Sequence, residues 1–142
     1  MDLKLFYLGE IADMTEAQII EVEKLITSQI HGIVATNNPE TGARLSALNN
    51  LRGQHLGALH YGTDATSQKA KNIAADPRFE VMYTDGNGSQ VMLSGKAEIL
   101  TDTATKESLW EEWMNEYSPE GPTGNGICII RFKPESIRAM IV

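Results

Sequence analysis

The chain has 142 residues, a hydrophobic fraction of 42% and a formal net charge of −7. That length suffices for one domain with its own apolar core, without help from disulfides or a structural metal. The negative balance excludes a nonspecific nucleic-acid binder, which would present a basic surface, so any anionic ligand must be held by a local cluster of donors.

The first ten residues carry Asp2, Lys4 and Glu10 and contain no signal-peptide core. No apolar run reaches membrane-spanning length, and the expected location is the cytoplasm. Met14-Thr15-Glu16-Ala17-Gln18 reads as a helix start, with Thr15 and Gln18 forming a capping box. Ile19, Val22, Ile26 and Ile30 mark the apolar face of that helix, widened by Ile20 and Leu25. Ile33 to Thr36 is strand-like, Pro39 to Gly42 is a turn, and Ala43 to Asn49 returns as the second strand of a hairpin. A loop over 50–54 leads to a third strand, His55 to Gly62. A helix over Thr66 to Ala75 is stopped by Asp76-Pro77. Phe79 to Thr84 and Gln90 to Leu100 are two further strands joined through Asp85-Gly86-Asn87-Gly88.

Asp102 caps a last predicted helix running to Glu116, with Leu109, Trp110, Trp113, Met114 and Tyr117 on one face. Ser118 to Gly126 is rich in chain breakers and long enough to be a lid or a partner-contact loop. Two short strands, Ile127 to Phe132 and Ile137 to Val142, close the chain. Cys128, the only cysteine, lies in the apolar run Ile127-Cys128-Ile129-Ile130 and reads as a small buried hydrophobe. One cysteine permits no intrachain disulfide and fits a reducing compartment. Roughly seven strands joined mostly by hairpins, with three helices, predict an α+β fold built on an antiparallel barrel.

Several chemistries lack their residues. No Gly-x-Gly-x-x-Gly or P-loop pattern is present, and His31, His55 and His60 show no metal-ligand spacing. Ser67 sits in no nucleophile-elbow motif. What remains is a set of phosphate-type donors. Thr63 and Ser67 flank a tight turn at the start of a helix, where unpaired backbone N–H groups favour an anion. Lys69 stands in the first turn of that helix, where a cation opposes the macrodipole unless an anion is present. Arg44 shares one face of its strand with Ser46 and Leu48, and its guanidinium can grip a phosphate through two parallel hydrogen bonds. The same residues are also compatible with a plain helix cap at Thr66 or Ser67 and a solvated Lys69/Lys71 face.

The order of these pieces carries more than any one of them. The Arg44 hairpin is followed by Thr63-x-x-x-Ser67-x-Lys69, then Asp76-Pro77-Arg78-Phe79-Glu80-Val81, then Gln90-Val91-Met92-Leu93-Ser94-Gly95-Lys96-Ala97-Glu98. That succession resembles the pyridoxamine 5′-phosphate oxidase-like split barrels that bind FMN. Asp102…Lys106-Glu107-Ser108-Leu109-Trp110 and Pro119-Glu120-Gly121-Pro122 resemble the short general-stress-protein branch of that family. The resemblance runs from Ile33 to the C-terminus.

It implies a single FMN-binding split-barrel domain over residues 1–142, forming homodimers with flavin sites at the interface. It assigns the FMN phosphate to Arg44 and Lys69 with Thr63 and Ser67 assisting, lays Leu45 and Ser46 along the flavin, and puts Gln90 on the polar edge of the ring. Trp110 and Trp113 read first as core or dimer anchors, with Trp110 counted among the cofactor contacts. Asn49 stands where relatives often carry lysine. The chain ends at Arg138-Ala139-Met140-Ile141-Val142 without the arginine/histidine substrate motif of the true oxidases, so pyridoxamine phosphate oxidation is not expected. The expectation is a flavin-dependent oxidoreductase acting on an unidentified small molecule, with a flavin store or redox sensor as the alternative. FAD, a deazaflavin or haem are the alternative cofactors, and His60 is the one haem ligand to consider.

Overall fold

The computed structural model describes residues 2–142. Its strands are β1 (Leu5–Glu10), β2 (His31–Asn38), β3 (Gly42–Asn49), β4 (Leu59–Asp64), β5 (Arg78–Thr84), β6 (Gln90–Leu100) and β7 (Ile127–Ile141). Its helices are α1 (Glu16–Ser28), α2 (Gln68–Ala75) and α3 (Thr103–Leu109). The strands form one antiparallel sheet in the order β1-β7-β6-β5-β2-β3, and β4 pairs with the first half of β7. The sheet therefore curls until β3 approaches β4. The two touch through a single antiparallel bridge, Asn50 to Tyr61. The barrel is closed at that point and split beyond it.

Alternation decides what fills the interior. Val34, Val81, Tyr83, Val91, Leu93, Ile130 and Phe132 point inward and are buried. Helix α1 adds Val22, Leu25 and Ile26, and it starts at the predicted capping box, with the Thr15 and Gln18 side chains each bonded to the other's backbone N–H. Ile20 and Ile30, counted on its apolar face, are exposed instead. Asp102 caps α3 by accepting from the Thr105 N–H at 2.9 Å, and Cys128 is buried, its thiol pushed up by that burial.

The architecture agrees with the split-barrel expectation, but several elements differ. The third strand begins at Leu59, not His55, because His55 and Ala58 bond to each other and make a tight turn. The helix expected to run to Glu116 stops at Leu109 and resumes as a 3-10 turn over Glu112–Glu116. The two C-terminal strands are one 15-residue strand that passes through Pro134. Strand β1 has no counterpart in the sequence reading. It occupies the edge of β7 that β4 leaves free, pairing Leu5 with Ile141 through Glu10 with Ser136. The count of seven strands is right through two compensating differences.

Inside the barrel, two tyrosines share one polar network. The Tyr61 and Tyr83 hydroxyls lie 2.6 Å apart, and Tyr83 donates to Asn50 Oδ1 at 2.5 Å. Asn50 in turn donates to the Ile26 and Gln29 carbonyls at the end of α1. Burial raises the pKa of both phenols, and for Tyr61 the adjacent Tyr83 adds to the effect. The linkage follows directly. Folded values above the unfolded tyrosine value of about 10 contribute stability that is full below that pH and is lost as pH rises through the folded values. Denaturant titrations at pH 8 and 11 should show the loss, with phenolate absorbance of Tyr61 and Tyr83 appearing only as the chain unfolds. Tyr83→Phe strands the partners of this hydroxyl and should cost about 1–3 kcal/mol.

Candidate functional site

The split between β3 and β4 forms a cleft. Continuing the Asn50–Tyr61 register would pair Asn49 with Gly62, Leu48 with Thr63 and Ala47 with Asp64. The strands diverge instead, and those six residues line a cavity of about 280 Å³ together with Ser67, Lys69, Trp113, Tyr117 and Ile127. The backbone there is not neutral scenery. The Asn50 N–H bonds the Ile30 carbonyl on the β2 side. Alternation then turns the N–H groups of Asn49 and Ala47 away from β2, toward the open edge.

The opposite wall is the β4–α2 junction. Thr63 is buried, and its hydroxyl lies 3.5 Å from that of Ser67. Ser67 is the N-cap of α2, its Oγ accepting from the Ala70 N–H at 3.2 Å. The helix-cap alternative is thus correct as far as it goes, and it is compatible with a site because the Ser67 hydroxyl proton remains free to be donated. Among the described residues, the N–H groups of Gln68 and Lys69 have no acceptor and Lys69 has no ion-pair partner. Asp64 opposes an anion. Its carboxyl is held below the usual range first by the Thr66 hydroxyl and N–H, both at 2.7 Å from Oδ1, with the Lys69 charge contributing. Helix α2 itself is fixed to the barrel by Asn72, which donates to Thr36 Oγ1 at 3.1 Å and accepts from Gln68 and Asn38.

Of the eight residues singled out in the sequence, Thr63, Ser67 and Lys69 meet in the cleft. Arg44 and Ser46 lie on the same strand face as the cleft-lining Leu48, but the Arg44 guanidinium is exposed and donates to the Thr41 and Ala43 carbonyls. Leu45 is 74% exposed on the other face, the outside of the barrel. Gln90 is on that outer face too, between Thr84 and Met140. Trp110 does not line the cleft; its indole N–H bonds Asn115 Oδ1 and its carbonyl accepts from Arg52. Trp113 and Tyr117 take that place, because the break after Leu109 turns the chain over Gly62. The missed signal was Gly62 itself, since a glycine inside a strand marks close approach of another group.

The outer face connects the pieces that the cleft does not contain. Asn49 pairs with His31, and Gln90 pairs with Thr84. The β2–β5 register, Ile33 with Met82, extended two residues, brings His31 beside Thr84. Asn49 and Gln90 therefore share a row, three interstrand steps or about 14 Å apart. Next to that row lies a larger hollow of about 620 Å³, lined by Leu8, Ile33, Leu45, Met82 and Met92 among others and bordered by Glu10, Glu80 and Arg138. It is the larger cavity but holds few donors and two carboxylates to one guanidinium, so it suits an apolar contact, not a phosphate. No group of three or more His, Cys, Asp or Glu among the described residues could hold a metal ion, and no helix is long and apolar enough to cross a membrane.

Comparisons with known proteins bear on the fold and the family. Residues 17–139 match the family described as pyridoxamine 5′-phosphate oxidase like. A Clostridium acetobutylicum structure, a protein related to general stress protein 26 of B. subtilis (pyridoxinephosphate oxidase family), is similar with a TM-score of 0.73 at 25% identity, covering 85% of this chain and 86% of that one. General stress protein 26 from Bacillus anthracis superposes with a TM-score of 0.74 at 18% identity, over 87% of this chain and 93% of that one. An F420 reductase shares the fold with a TM-score of 0.62 at 20% identity, over 81% and 94% of the two chains. Among curated proteins no sequence matches. The chain belongs to the pyridoxamine 5′-phosphate oxidase-like family.

Proposed function

We propose that the cleft holds the phosphate and ribityl end of FMN, and that the chain is a single-domain, homodimeric flavin-dependent oxidoreductase acting on a small molecule. The observation that carries this reading is the convergence of Thr63, Ser67, Lys69 and the unpaired edge of β3 in one cleft at the split. Two hydroxyls, an ammonium and the free N–H groups at the start of α2 form a donor set that suits a phosphate monoester. At about 280 Å³ the cleft is smaller than the cavities that enclose whole drug-sized ligands, so it suits one end of a flavin. The ring would then extend over the outer face along the Asn49–Gln90 row, toward the side chain that can bond its polar edge.

The same face supports the homodimer reading. Phe6, Leu8 and Leu45 are 62%, 69% and 74% exposed, and together with the hollow they form an apolar surface that a second copy would cover. Arg44 reaches the phosphate if its guanidinium leaves the Thr41 and Ala43 carbonyls. A buried, unpaired Cys128 fits the cytoplasm.

A bound flavin supplies the redox chemistry, while the protein binds it, orients it and limits water around its phosphate. Asp64 is the one carboxylate lining the cleft, and its Oδ1 is occupied by Thr66. That absence of a free acid/base pair at the cleft favours a second reading, a flavin store or redox sensor without turnover. The two separate in one experiment. Holoprotein reduced with dithionite should be reoxidised at rates that differ among small electron acceptors if it is an oxidoreductase. Rates identical for every acceptor support the store. Protein that binds F420 but not FMN replaces the cofactor assignment.

A further inference from the structure

The wall of the cleft made by Trp113 and Tyr117 is used by none of the contacts assigned so far. It is held in place from three sides. Met114 is fully buried, and a Cβ on Gly62 would lie 2.7 Å from Met114 Cε and 3.4 Å from Trp113 Cη2, so the glycine leaves both side chains room to pack directly on β4. A Cβ on Gly126 would overlap the Tyr117 carbonyl. Ser118, itself buried, donates its N–H to the Met114 carbonyl and its hydroxyl to the Gly121 carbonyl at 2.9 Å. Behind it the buried Lys106 ammonium donates to the Gly124 carbonyl at 2.9 Å, tying α3 to the same loop.

The two rings themselves stand edge to face, 6.0 Å between centroids at 85°. The Trp113 N–H is directed to Glu111 Oε1 at 3.3 Å, so the indole offers the cleft only carbon surface. One edge of Trp113 packs on the small cluster of Leu51, Met114, Ile127 and Ile129, yet Tyr117 remains 54% exposed.

We propose that Trp113, with Tyr117 behind it, is the cover of the phosphate site: it packs against the polyol chain of a phosphate ester and keeps water from the phosphate contacts. The proposal rests on the FMN reading above. Its physical content is electrostatic. An ion pair open to solvent is screened by salt, whereas one sheltered from water is screened much less. Removing the indole should therefore lower affinity and also make it more salt-dependent, which a packing defect alone would not do.

The test uses full-length Trp110→Phe protein, in which Trp113 is the remaining tryptophan of the two. Ribitol 5-phosphate is the probe, because it carries no near-ultraviolet chromophore and cannot quench by energy transfer. Its addition should change the Trp113 emission saturably, and inorganic phosphate should do so only at far higher concentration. In otherwise native protein, Trp113→Ala should weaken FMN binding about tenfold, the equivalent of one modest apolar contact, and should steepen its dependence on sodium chloride. Trp113→Phe should restore most of both. Trp113→Ala protein that keeps its circular dichroism spectrum and binds FMN with unchanged affinity and salt slope overturns the proposal while leaving the FMN reading intact. Failure of the unsubstituted protein to bind FMN overturns both.

Discussion

Lys69→Ala should lower the affinity of the cleft for FMN by about 10- to 100-fold while leaving the melting temperature of the ligand-free protein nearly unchanged. The size follows from the loss of one charge-assisted hydrogen bond, and the neutral effect on the fold follows from the surroundings. Lys69 is half-buried, has no ion-pair partner among the described residues, and sits in the first turn of α2, where its charge opposes the helix dipole. Without a ligand its removal takes nothing essential away. Arg44→Ala should have a smaller effect, because that guanidinium first has to leave two carbonyl partners. Titration of FMN into the two variants and the double variant by calorimetry checks the order. Equal losses for both single variants would mean that Arg44 is already part of the site. No loss in the double variant would place the phosphate elsewhere.

A large loss of stability should come from Gly95→Ala. Gly95 lies where the β6–β7 register shifts, opposite Pro134. A Cβ there would overlap the Lys133 carbonyl oxygen and lie 2.9 Å from Pro134 Cα and 3.1 Å from the Glu135 nitrogen. All three are backbone atoms of β7, which pairs with β1, β4 and β6, so no side-chain rotation relieves the overlap. A loss of about 3 kcal/mol or more is expected, in the range reserved for core overpacking and backbone conflict. Gly42→Ala is the control. Its φ of 81° is unfavourable for alanine but its added methyl meets nothing within 4 Å, so about 1 kcal/mol is expected. Urea midpoints measure both, and equal losses would refute the backbone-overlap account.

The same proline explains one limit of the sequence. Lys133-Pro134-Glu135-Ser136 reads as an interruption because proline offers no N–H to a ladder, and it is tolerated here only because the irregularity at Gly95 absorbs it. Nothing near Pro134 in sequence reports that. Strand β1 was invisible for a related reason: Leu5 to Glu10 becomes a strand because β7, more than 100 residues away, has a free edge there. By contrast, β6 was read to the residue, since its alternation and the Gly86–Gly88 turn are local signals. The capping box of α1 and the Asp102 cap were legible on the same ground.

The site divides along the same line. Thr63, Ser67 and Lys69 are neighbours in sequence, and a strand-to-helix turn gathers such residues wherever it occurs. Trp113 was placed on a helix face with Trp110 because the two are three residues apart. The chain leaves the helix after Leu109, so Trp113 packs over Gly62, 51 positions earlier, and lines the cleft while Trp110 stays outside. Asn49 and Ala47 enter the cleft only because β3 and β4 bridge at Asn50–Tyr61 and then part. The grouping of donors at the β4–α2 turn was readable, and the walls supplied by topology were not.

The central claim is that the cleft at the barrel's split is a phosphate-recognising end of a flavin site. Comparing FMN with riboflavin tests it most directly, since the two ligands differ only in the phosphate. Calorimetric titration of the native protein should show FMN binding at least about 100-fold more tightly than riboflavin, and Lys69→Ala should remove most of that difference by weakening FMN alone. Equal affinity for the two ligands, or an FMN preference untouched by Lys69→Ala, would contradict the account.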